Sequence, residues 1–111
     1  DDIQVKAIDT FLKHYENSDK QTAKRLFDEF FQSNKYILQH YLISAVYGEI
    51  LYEEHDYLNA ATFLRKAVEK RPEEIKIHIM LKDIYHKLND EILLNQEVEI
   101  INILNEGESN E

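Results

Sequence analysis

The 111-residue chain sets 22 acidic side chains against 13 basic ones, and a formal net charge of −9 repels phosphate backbones and argues against nucleic acid as a partner. With 43% hydrophobic residues but only 2 Gly and 1 Pro, the composition favours one domain built of long helical segments. The lack of Cys excludes disulfides and thiolate metal sites, and no apolar run reaches the roughly 18 residues that a bilayer span needs.

Ile3, Ala7, Ile8, Phe11, Leu12 and Tyr15 fall at helical spacing, and Glu16-Asn17-Ser18-Asp19 ends that run with residues that prefer turns and N-caps. A second stripe, Ala23, Leu26, Phe27, Phe30 and Phe31, stops at Ser33-Asn34-Lys35. The third predicted helix runs from about Tyr36 to Glu53 and breaks at Glu54-His55-Asp56. A fourth covers Tyr57 to Lys70, and Pro72 suits the first turn of a fifth, about Pro72 to Leu88. Asn89 divides it from a sixth, Asp90 to Asn105. Residues 106–111 read as an acidic flexible tail, and from Glu91 to the end six acidic residues meet no basic one, which also disfavours anionic lipid surfaces. An opening at Asp1-Asp2, with no Met and no signal-peptide pattern, suggests a soluble piece of a longer protein, suited to cytoplasm or periplasm.

The chain repeats itself. Asp56, Ala60, Leu64 and Ala67 are matched 34 residues later by Asp90, Leu94, Val98 and Ile101, and 37 residues earlier by Asp19, Ala23, Phe27 and Phe30. Such units cannot bury one face alone and stack to do so. The expectation is an all-α fold of about six helices, three antiparallel helix-turn-helix pairs, spanning 1–105 as repeats of about 4–37, 41–74 and 75–106.

The block from Tyr41 to Glu74 is 34 residues long and places Gly48, Leu51, Tyr52, Asp56, Tyr57, Ala60, Leu64, Ala67 and Pro72 in one register. In these positions the chain resembles the tetratricopeptide repeat. The resemblance implies a short solenoid in which Gly48 and Ala60 form the close-contact pair between the helices of a hairpin. The outer units depart from the pattern, with Phe11 and Phe30 in the first and Lys82 and Leu94 in the third at the positions of small residues.

Catalytic chemistry finds little support. The histidines, His14, His40, His55, His78 and His86, offer no metalloprotease spacing, and His78 and His86 have the cation Lys82 between them, so they read as groove or surface histidines. The serines sit in no nucleophile-elbow context, and two isolated glycines cannot cradle a phosphate. Neither an enzyme, a metal nor a cofactor is expected.

The resemblance implies instead a scaffold for protein–protein interaction that takes a peptide or helix of a partner protein into a concave, mostly apolar groove. The first-helix positions map that groove to Ile8, Leu12 and Tyr15, then Leu42, Val46, Glu49 and Tyr52, then Lys76, Ile79, Met80, Asp83 and His86. Members of the family that bind chaperones grip a carboxylate with Lys, Asn and Arg; of the corresponding Ile8, Leu12, Val46, Lys76 and Met80, only Lys76 fits. A homo-oligomerisation domain and a secretion chaperone are the alternative readings. The last helix favours self-association: its apolar residues, among them Leu93, Ile100, Ile103 and Leu104, spread over roughly 240° of the helical wheel, wider than a surface stripe needs.

Overall fold

In a computed structural model of the chain, the described residues are 41–109 together with Lys13, Glu16, Gln21, Thr22, Lys24, Arg25 and Asp28, all seven of them helical. Residues 41–109 form α1 (Tyr41–Glu53), α2 (Tyr57–Lys70), α3 (Ile75–Lys87) and α4 (Glu91–Ser109). The described fold is all-α. Its count corrects the expected arrangement of about six helices in three pairs to four helices in two hairpins. Apolar stripes and turn residues are local signals, and the number of packed helices is fixed only when tertiary neighbours are. The two helices predicted before residue 36 lie, except at the seven positions above, outside the described residues.

The two hairpins close with the same turn. His55 and Asn89 adopt left-handed backbone, φ 66° and 59°. The amide of the following Asp reaches back to the last turn of the helix, Asp56 N to Leu51 O and Asp90 N to Tyr85 O, each 2.9 Å. This is a Schellman-type ending, which satisfies carbonyls that the helix leaves open. Asp90 then accepts the Leu93 amide at 3.1 Å and caps α4, whereas Asp56 accepts Asn59 Nδ2 at 3.0 Å and makes no side-chain cap on α2.

Between the hairpins, α2 ends at Lys70 and α3 begins at Ile75, so Pro72 stands in the connecting turn and not in the first turn of α3 as expected. At the far end α4 continues past Asn105 to Ser109, taking in part of the segment read as a tail.

A single core joins the four helices. Ala60, Leu64 and Ala67 of α2 are sealed at 0% exposure, against Leu51 of α1 and Ile77, Met80, Leu81, Ile84 and Tyr85 of α3. Leu93 and Leu94 of α4 pack on it half-buried. Each fully buried aliphatic side chain contributes about 1.5–3 kcal/mol. Small residues set how near α1 and α2 come. A Cβ on Gly48 would stand 2.7 Å from Cγ and Cδ2 of Leu64 and 3.2 Å from its backbone N, so the partner of Gly48 in close approach is Leu64, where the sequence reading paired it with Ala60. Next to Gly48, Tyr47 meets Phe63 of α2 edge-on at 4.7 Å and donates to Asp28 at 3.0 Å, while Lys24 reaches Glu54 at 2.7 Å.

Candidate functional site

The face shared by α1 and α3 holds the described part of the expected groove. Helical spacing brings Glu49 and Tyr52 to one side of α1, and Lys76, Ile79, Asp83 and His86 to one side of α3. Two polar bridges cross between them: Lys76 Nζ stands 3.8 Å from Glu49 Oε1, and the Tyr52 hydroxyl donates to Asp83 Oδ2 at 2.5 Å. Lys87 adds a contact of 3.7 Å to Asp83 along α3. The hydrogen bond to Asp83, and then burial, hold the Tyr52 phenol up at about 12, so it remains a donor across the neutral range.

Within this face Ile79 is 51% exposed, flanked by charge. The Lys76 side chain is 74% exposed and His86 is exposed, whereas Val46, Glu49, Tyr52 and Asp83 are half-buried. Met80 is different. It is buried in the core beside α2, which corrects its assignment to the groove: α2 approaches from that side and takes Met80 with Ile77, Leu81 and Ile84. The face is therefore more polar than expected, an exposed isoleucine in a frame of ion pairs and a phenol–carboxylate bond. Ile8, Leu12 and Tyr15 lie outside the described residues, as does the side chain of Leu42. Of the repeat signature, Ala60, Leu64 and Ala67 are buried with Gly48, Tyr57 is half-buried, and Pro72 is exposed.

A feature missed in the sequence lies between α3 and α4. His78, read as a groove or surface residue, is 4% exposed, and Glu97 opposite it is 8% exposed. Nδ1 of His78 is 2.7 Å from Glu97 Oε2, and Nε2 is 2.7 Å from the carbonyl oxygen of Pro72. A carbonyl only accepts, so Nε2 carries a hydrogen, and the contact to Glu97 is bonding only with one further proton held between nitrogen and oxygen. One imidazole thus ties the turn before α3 to the middle of α4. The available signal was a His and a Glu, each among apolar neighbours on facing stripes.

The four residues expected to mediate self-association divide. Ile103 is 66% exposed, Leu93 packs against the core, and Ile100 and Leu104 are half-buried, while Ile92, 74% exposed, joins Ile103 on the outer side of α4. A cleft of about 350 Å3 opens between α3 and α4, lined by Lys82, Asp83, His86, Leu94, Asn95 and Val98. Among the described residues, no helix is long and apolar enough to cross a membrane, and no three acidic or histidine side chains are grouped to hold a metal ion. No protein-family model and no curated protein matches the chain.

Proposed function

We propose that this chain is a non-enzymatic protein-interaction module, a tetratricopeptide-like scaffold that holds a peptide or helix of a partner protein against the shared face of α1 and α3. The observation that carries the reading is Ile79, a large aliphatic side chain 51% exposed within a frame of fixed polar groups, Glu49–Lys76 on one side and Tyr52–Asp83 on the other. An apolar anchor point ringed by hydrogen-bonding groups is the pattern of a small recognition surface. The test is a photo-crosslinking amino acid at position 76, exposed on the same face, in the full chain, with Tyr52→Ala and Ile79→Asp as binding controls. The expected result is a discrete crosslinked partner, lost in both controls, with the melting temperature unchanged in Ile79→Asp and lowered in Tyr52→Ala by the loss of its bond to Asp83. Crosslinks that both controls leave intact would place the partner elsewhere.

Self-association is the second reading, favoured by Ile92 and Ile103, 74% and 66% exposed on α4. Sedimentation across a concentration series tests it, with Ile103→Glu expected to abolish any rise in mass.

A further inference from the structure

The cleft between α3 and α4 repeats, residue for residue, a surface that the molecule already uses. Its lining of Lys82, Asp83, His86, Leu94, Asn95 and Val98 stands 34 positions after Gly48, Glu49, Tyr52, Ala60, Ala61 and Leu64. Those earlier residues form the seat that α3 fills. Ala60, Ala61 and Leu64 are 0%, 2% and 0% exposed beneath α3, Glu49 takes Lys76, and Tyr52 bonds Asp83. In the second hairpin the counterparts Leu94, Val98 and Ile101 are only half-buried, and Asn95 is exposed. The same seat is built twice, and the described residues fill it once.

We propose that the α3–α4 cleft is a docking seat for one further amphipathic helix, supplied by a partner polypeptide and bearing the face that α3 presents to the first hairpin. The charges specify that helix. Asp83 stands where Glu49 receives Lys76, so the guest carries a basic residue early in its length. His86 stands where Tyr52 donates to Asp83, so a carboxylate follows seven residues later, within reach of Lys82 as well. Glu99 stands in the register of Arg65, whose positive charge lies near the Tyr85 phenol, and there it calls for a phenol or a cation. An aliphatic stripe spaced like Ile77, Leu81 and Ile84 fills the floor over Leu94 and Val98. This surface adjoins the one around Ile79, with which it shares Asp83 and His86, and the two are distinguished by variants at Asn95 and Ile79, which lie in only one of them each.

The probe is a synthetic peptide copying residues 74–88, which contain α3 and satisfy each of these requirements. It is stapled on its outward face, because a free helix of this length is marginal in water. Titrated into the isotopically labelled full chain, it is expected to give saturable NMR shifts confined to the cleft, at Asp83, His86, Leu94, Asn95 and Val98. Asn95→Trp, an exposed position where a large ring fills the cleft without touching the core, is expected to weaken binding by about tenfold or more. Ile79→Asp is expected to leave it unchanged, and a peptide with Lys76→Glu and Asp83→Lys to bind several-fold more weakly. Shifts absent or scattered, or binding indifferent to Asn95→Trp, overturn the proposal. A concentration-dependent doubling of mass that Asn95→Trp abolishes would seat a second copy in the cleft and overturn the assignment to a foreign helix.

Discussion

The hairpins α1–α2 and α3–α4 share a turn, a register and a stripe pattern, yet they are held together by opposite means. In the first, Gly48 lets Leu64 sink against α1, and Ala60, Ala61 and Ala67 leave nothing between the second helix and α3. In the second, Lys82, Leu94 and Ile101 occupy the matching positions, and the hairpin is fastened instead by His78 and Glu97 buried between its helices. One repeat register is thus closed by bare backbone proximity in one hairpin and by a polar tie in the other. Small residues favour stacking on both sides, whereas the polar tie secures α4 and leaves an open cleft beside it.

The largest effect is expected at the polar tie. Glu97→Ala strands a buried imidazole and is expected to cost about 3–5 kcal/mol in urea unfolding, while replacing both partners by His78→Leu with Glu97→Met is expected to recover most of the loss. A Glu97→Ala protein as stable as the parent would mean that the contact holds nothing. Next come matched truncations. Leu64→Ala, in the filled seat, is expected to lose about 2–5 kcal/mol, but Val98→Ala, at the equivalent place in the open seat, no more than about 1 kcal/mol. Equal losses would show that the second seat is filled after all.

Smaller effects sharpen the picture. Gly48→Ala gains up to about 1 kcal/mol of helix propensity. Its new methyl would lie 2.7 Å from Cγ of Leu64, near the base of that side chain, and 3.2 Å from backbone, so α2 must shift and a net destabilisation of about 1 kcal/mol is expected by thermal melting. The smallest effect is alkaline. The Tyr52 phenol is raised from 10.0 to about 12 in the fold by its bond to Asp83, so that contribution is whole below about pH 10 and lost as pH rises toward 12. Tyr41, Tyr47 and Tyr85 are raised as well, chiefly by burial, so Tyr52→Phe is expected to lessen the alkaline fall in stability without abolishing it.

Much of this difference was legible before folding, and some of it was legible in the wrong place. The Ala and Gly positions of the first hairpin announced close packing, and Lys82 and Leu94 marked the second as a departure from that pattern. Met80 did not reveal its side of α3. It lies at the edge of the apolar stripe, where either the groove or the core is compatible with helical spacing, and the approach of α2 settled the matter. His78 did not announce burial either, because a lone histidine is as much at home in water as in a satisfied pair.

By itself the sequence determined the helices from Tyr57 onward, the two turns at His55 and Asn89, and the 34-residue register, because these follow from local periodicity, turn chemistry and small residues spaced along the chain. Tertiary structure alone decided which face of each helix is covered. It set Leu64 against Gly48, carried Met80 into the core, joined His78 to Glu97 nineteen positions further on, and left Ile79 and the α3–α4 cleft open. The physical reason is that burial belongs to pairs of surfaces: a stripe states that a helix needs a partner, and only the packed neighbours determine which partner it meets and which polar groups are desolvated together.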